Sequence, residues 1–306
     1  MISNQEIAAD YPLIGAPGSL LRLSRISRKE IQKDGWGLGW FVNDRPRILK
    51  SPKPIYRDRD LLRSAVKCAK GNVLIGHVRW ASNPLKLPKH HLIGLEHTQP
   101  FAYKNWLFAH NGTLLIPKEV RQALGPLDRN IRGNNDSEVL FYWLMKYLFP
   151  SSPRRKPGSR RLDWVPSLSF QAIGRDSPLL GTASAGMTAL VSRIRKSIFG
   201  LHEIWKDCRK KYPLYRYPYH GLNWVLTDGK TLIAMCYVNP GGFGKAKALG
   251  DRRQPYYQLQ LSITPEEVYV ASEPFDSTRP WKAMRHGELV IARRMKESVE
   301  IERQTL

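Results

Sequence analysis

Cysteine is scarce in this chain. Cys68, Cys208 and Cys236 are the only three in 306 residues. They show no CxxC or Cys/His spacing, so neither a disulfide framework nor a metal site is expected, and each reads as a small buried apolar residue. Long apolar runs are missing too: none approaches the roughly 20 residues needed to span a bilayer, and no membrane partner is expected. Residues Met1 to Glu6 lack the basic start and apolar block of a signal peptide, which makes a cytoplasmic location the default. Acidic residues are also few, 26 against 49 Lys and Arg, leaving a net charge of +23. Such a field attracts polyanions whatever the fold. The basic clusters at Arg154-Arg155-Lys156, Arg160-Arg161, Arg193 to Lys196 and Lys206 to Lys211 come without a helix-turn-helix, zinc-finger or RNP-type aromatic motif. A solvated basic surface is therefore expected ahead of nucleic-acid binding.

What the chain does contain is a set of apolar runs that stop abruptly at polar residues. Trp106-Leu107-Phe108-Ala109 reads as a strand buried on both faces, and His110-Asn111-Gly112-Thr113 follows it. Asn-Gly favours a tight turn, which would leave the Asn111 side-chain amide and the Gly112 N–H at a strand mouth, able to converge on one developing negative charge. Asn72 to Ser82 repeats the pattern. At its polar end Arg79 is suited either to a bidentate grip on a substrate carboxylate or to a structural ion pair.

Upstream, Asp34-Gly35-Trp36-Gly37-Leu38-Gly39-Trp40-Phe41-Val42 alternates like a half-buried strand, but glycine weakens strand interiors. Three of them argue for close backbone approach. No third glycine opens a helix as a dinucleotide fingerprint requires, and no cofactor is expected. Asp60 to Lys70 has the spacing of an amphipathic helix, and another begins near Pro117. Asp136 stands at the start of the apolar-striped helix that follows, where on local grounds it is an N-cap.

In that order and spacing, Asp34-Gly35-Trp36-Gly37, Gly76-His77-Val78-Arg79-Trp80-Ala81-Ser82, Thr98-Gln99-Pro100-Phe101, Phe108-Ala109-His110-Asn111-Gly112-Thr113 and Asn135-Asp136-Ser137-Glu138 resemble the class II glutamine amidotransferase domain, an N-terminal-nucleophile hydrolase type. The resemblance covers most of residues 1 to about 150. It implies an α+β fold, a four-layer αββα sandwich of two antiparallel sheets between helices. It also implies an oxyanion hole from the Asn111 side chain and the Gly112 N–H. Arg79 would bind a glutamine α-carboxylate, with Trp80 and Ser82 shaping the same wall, and Asp136 would receive the α-ammonium. The implied activity releases ammonia from glutamine, or cleaves a γ-glutamyl amide, through a Cys thioester. Any acceptor enzyme would be a separate chain.

The chain departs from that pattern at its start. Family members use an N-terminal Cys as nucleophile and its own α-amine as base, whereas this chain begins Met1-Ile2-Ser3. Ser3 is a poor substitute, and Cys68 falls in a helix far along the sequence. The expectation is a true start several residues upstream that carries the Cys. The alternative is a pseudoenzyme that binds glutamine or a γ-glutamyl compound without turnover. A smaller departure is His97-Thr98-Gln99, where many members show Asn-Thr-His.

Beyond Tyr147, Pro, Gly, Ser and Arg without periodicity predict a flexible basic insertion at about 150–186 in an otherwise single 1–306 domain. A helix follows through about Lys206. After it come a hairpin around Asp228-Gly229 and strands at Tyr256 to Ser262, Val268 to Ser272 and Glu288 to Arg293.

Overall fold

A computed structural model describes residues 1–26, 31–150, 183–244, 247–250 and 253–306. The chain opens with β1 (Ile2–Ser3), α1 (Leu20–Leu23), β2 (Trp36–Val42), β3 (Arg45–Ser51), α2 (Arg59–Cys68) and β4 (Leu74–Val78). It continues through β5 (Phe101–Tyr103), β6 (Trp106–Leu114), α3 (Pro117–Gln122), α4 (Asp136–Leu148) and α5 (Ala183–Cys208). The last elements are β7 (Tyr219–Thr227), β8 (Thr231–Cys236), β9 (Gln260–Ile263), β10 (Glu267–Ala271), β11 (Trp281–Ala283), β12 (Glu288–Arg294) and β13 (Val299–Thr305).

The strands pair antiparallel throughout, in the orders β13-β12-β8-β7-β6-β5, β1-β10-β9-β11 and β3-β2-β4. Short as it is, β1 joins the last two. On one side Ile2 opposes Val268 of β10, and on the other it bridges to Val73. Met1 N donates to Leu74 O at 2.8 Å, Leu74 N donates to Met1 O at 3.1 Å, and Ser3 N donates to Asn72 O at 2.8 Å. The smaller sheets thus form one surface lying over the six-stranded sheet.

Alternation along the strands sorts side chains into layers, because successive residues face opposite sides. Leu107 and Ala109 of β6, Leu232, Ala234 and Cys236 of β8, and Val290 and Ala292 of β12 point between the sheets, where they meet Ile2, Ile75, Leu261 and Val268. Their neighbours Phe108, Ile233, Met235, Leu289 and Ile291 face the other way, onto α4 and α5. On the far side, Leu62 and Ala65 of α2 cover Trp36, Leu38 and Trp40. Helix, sheet, sheet, helix is the architecture expected.

The β2 glycines serve close approach, as their number suggested. A Cβ at Gly37 would collide with Gln99 O, and one at Gly39 would lie 2.9 Å from Leu107 Cδ1 and Pro100 Cγ. The Asp228-Gly229 hairpin is present, with Gly229 at φ +90°. The turn predicted at Asn111-Gly112 is not: β6 runs on to Leu114, with Asn111 opposite Asn223 and Gly112 opposite Leu222. Glycine is needed there for another reason, because a Cβ would strike the Gly221 carbonyl of β7 and approach His110 Nε2 to 2.6 Å. The insertion expected at about 150–186 falls largely on residues 151–182, outside the described residues, and α5 opens within its last part. No helix among the described residues is long and apolar enough to cross a membrane.

Candidate functional site

Where β6 outruns β5, its edge is open, and side chains replace the missing strand. Backbone amides along a strand alternate between its two edges. His110 N donates to Gln99 Oε1 at 2.6 Å, and Gln99 Nε2 donates back to His110 O at 3.1 Å. Leu114 N donates to Asp136 Oδ2 at 2.8 Å. Gly112 lies between these two on the same edge, away from β7, so its N–H is directed into the cleft that begins there.

The cleft encloses about 230 Å³ and is lined by Arg79, Trp80, Ser82, Asn111, Gly112 and Thr113, among others. That is below the 300–1,000 Å³ common for drug-sized ligands and suits a molecule of amino-acid size. Arg79 is buried, with Nη1 donating to Leu92 O at 2.6 Å and to Asp34 O at 3.4 Å. Burial lowers its pKa, and the Asp136 and Asp34 carboxylates oppose that effect. Trp80 stands at the rim, 51% exposed. Ser82 Oγ donates to Asp136 Oδ1 at 2.8 Å. Asp136 therefore sits behind Ser82 with both oxygens engaged. It is not the helix cap: Asn135 Oδ1 accepts from Ser137 N at 2.8 Å, while Asp136 opens the first turn, where a carboxylate complements the helix dipole.

Arg79, Trp80, Ser82, Asn111 and Gly112 thus line one cleft, while Asp136 stands behind Ser82 and does not line it. Others were not singled out in the sequence. His110 Nε2 lies 3.0 Å from Gly221 O, which can only accept, so Nε2 carries the proton and Nδ1 accepts from Ser137 Oγ at 2.9 Å. Burial holds the His110 pKa below the usual histidine range, keeping it neutral. This network fixes β6 against β7 at Gly112. Ser137 was hidden in an apolar-striped helix; it lies in the first turn after the Asn135 cap, with its hydroxyl on His110. Gln99, noticed only as a departure from Asn-Thr-His, substitutes for a strand beside His110. Tyr256 and Tyr257 complete the wall from the C-terminal half.

A second cavity, of about 180 Å³, lies between β4 and β10. Leu74, Gly76 and His77 line one side, Tyr269 to Ser272 the other, with Met1 and Asn111 also bordering it. It shares a wall with the cleft at His77, His110 and Asn111. His77 Nδ1 is buried there without a partner, and burial, with the Arg79 charge, pushes the His77 pKa down to about 3. The buried Met1 amine is lowered to about 5 by desolvation. None of the cysteines reaches the cleft. Cys68 is exposed on α2, Cys208 is buried at the end of α5, and Cys236 lies between the sheets, where burial pushes its thiol up to about 11. Ser3 Oγ accepts from Gln5 N at 3.0 Å, and Ser3 does not line the cleft.

Comparison with known proteins bears on this site. Residues 21–200 match the family model of the class II glutamine amidotransferases. YafJ of Escherichia coli (strain K12) is 23% identical over 269 residues, covering 84% of this chain and 83% of YafJ. The gamma-glutamyl-hercynylcysteine sulfoxide hydrolase of Mycobacterium tuberculosis is 28% identical over 113 residues, 36% of this chain and 46% of that protein. The solved class-II domain protein from Silicibacter pomeroyi shares the fold, with a TM-score of 0.50 at 16% identity, over 89% of this chain and 92% of that one.

Proposed function

The chain belongs to the class II glutamine amidotransferases, and from that membership we propose that its cleft holds the γ-glutamyl group of glutamine or of a γ-glutamyl amide and breaks the amide through a thioester. The observation that carries this reading is the Gly112 N–H, aimed from the open edge of β6 into a cleft that also presents the Asn111 amide, the Arg79 guanidinium and Ser82, with the Asp136 carboxylate directly behind Ser82. Two neutral donors suit a carbonyl that becomes an oxyanion, a cation suits the α-carboxylate, and an anion suits the α-ammonium. Asn111 Nδ2 has two hydrogens. One is donated to Ser272 Oγ at 2.9 Å and the other is left for the oxyanion.

In this reading a thiolate attacks the γ-carbonyl, and the C–N bond breaks as the leaving amine takes a proton. Water then cleaves the thioester, giving glutamate and restoring the thiol. The name of the Mycobacterium tuberculosis relative, a hydrolase of a γ-glutamyl compound, supports a hydrolytic outcome, and a separate acceptor enzyme is the other destination for the amine.

The nucleophile in this proposal is a cysteine on residues that continue β1 ahead of Met1. The second cavity supports that placement. Continued in the register that sets Ile2 opposite Val268, Met1 opposes Tyr269 and the third residue ahead of Met1 opposes Ser272. An extended segment there would pass between β4 and β10 and arrive at Asn111, on the wall shared with the cleft. The second reading is a binding protein without turnover, favoured by the absence of any described cysteine at the cleft.

Calorimetric titration with L-glutamine tests what both readings share. The chain is expected to bind, and Arg79→Ala to weaken binding by about a hundredfold, the scale of a lost charge-assisted pair. Unchanged binding by Arg79→Ala would remove both readings.

A further inference from the structure

We propose that Tyr257 is a specificity residue of the cleft, its phenol oxygen accepting a hydrogen bond from the substrate α-ammonium beside Asp136. This inference rests on the γ-glutamyl reading of the cleft, and adds to it a contact from a part of the chain outside the family-matched stretch, residues 21–200.

Three features place the residue. Tyr257 lines the cleft together with Arg79, Ser82 and Gly112. Its ring lies over Gly221, at 3.2 Å from where a Cβ would stand, so the glycine opposite Thr113 lets the ring come down close to the β6 edge. Its backbone is fixed: Asn223 Nδ2 donates to Tyr257 O at 2.6 Å, and Asn223 Oδ1 accepts from Tyr237 N at 2.8 Å, so one side chain of β7 ties the loop before β9 to the strand beside Asn111. An aromatic ring held at both backbone and face is preorganised, and ligand binding need not order it.

The chemistry follows from the surroundings. Burial, with the neighbouring Tyr256 and then the Asp136 charge, pushes the phenol up to about 12, so it stays neutral at physiological pH. A neutral oxygen beside a carboxylate suits an ammonium better than a carboxylate ligand. Asp136 alone has both oxygens already engaged, by Ser82 Oγ and Leu114 N. A further acceptor lets an ammonium be held by several partners, as a desolvated cation requires.

The test is calorimetric titration of the full chain and of Tyr257→Phe with two ligands, L-glutamine and glutaramic acid, which keeps the carboxylate and the side-chain amide but lacks the α-ammonium. Phenylalanine keeps the ring over Gly221, and an unchanged melting temperature verifies that. The expected result is a ten- to hundredfold loss of glutamine affinity, the scale of a hydrogen bond to a charged group, with glutaramic acid bound equally by both chains. Equal glutamine binding by the two chains, or equal losses for both ligands, overturns the proposal. Arg79→Ala in the same series separates the two failures. If it loses glutamine while Tyr257→Phe does not, only the role of Tyr257 falls; if the unsubstituted chain binds neither ligand, the γ-glutamyl reading falls with it.

Discussion

Asn111 Nδ2 donates to Ser272 Oγ at 2.9 Å, a bond between β6 of the six-stranded sheet and the residue that follows β10 in the facing one. The side chain proposed for the oxyanion hole is thus steadied by the C-terminal half of the chain, at the point where cleft and second cavity meet. Asn111→Ala removes an amide from a partly exposed position and is expected to leave the melting temperature within a few degrees. In a form of the protein that carries the nucleophile, it should lower kcat by about a hundred- to a thousandfold, the usual effect of losing one oxyanion donor. Steady-state glutaminase assays, read beside thermal melts, check both parts.

Gly112→Ala should act on the fold as well as the site. The added methyl meets the Gly221 carbonyl and His110 Nε2, neither of which is the free end of a flexible side chain, so β6 and β7 must separate locally. Overpacking of this kind costs about 1–3 kcal/mol, which urea denaturation resolves. Glutamine binding should weaken in the same variant. A fully stable Gly112→Ala protein would contradict the close approach described here.

His77 sets an expectation for acid stability. Its native pKa is about 3, and that of an unfolded histidine is about 6.5. Between those values the unfolded chain holds a proton that the native chain does not, so His77 makes stability fall as pH drops from about 6.5 toward about 3. Above pH 7 it contributes no slope. His77→Gln removes the titrating group, and urea midpoints measured between pH 4 and 7 should then depend less steeply on pH, by about one proton on unfolding near pH 5. An unaltered slope would show that His77 is protonated in the native protein.

Much of the fold was legible because it is written in alternation. The strand β2 and the Asp228-Gly229 hairpin could be placed from local patterns, as could α2 and α4, but β2 is buried on both faces, not half-buried, and Val42 at its end is exposed. Gly112 could not. The freedom that lets glycine turn also lets two strands approach closely, and only the presence of Gly221 opposite decides between them. β13 was missed because it lies at the sheet edge, and Val299-Glu300-Ile301-Glu302-Arg303-Gln304-Thr305 carries the charges that an edge strand tolerates. Arg79, Asn111 and Asp136 belong to short motifs that can be read locally, and the first two line the cleft with Asp136 behind them. Tyr257 at the cleft and Ser272 at the second cavity are brought there only through pairing across the molecule and have no local signature.

The central claim, a γ-glutamyl cleft served by a cysteine carried ahead of β1, is tested most directly by the intact mass and N-terminal sequence of the protein produced from its native gene with the upstream DNA in place. The account predicts a mature chain whose first residue is a cysteine a few positions ahead of Met1, close enough to reach Asn111 through the cavity between β4 and β10. A mature chain that starts at Met1 would contradict it, leaving Arg79, Asn111, Gly112 and Asp136 as a binding site without a nucleophile.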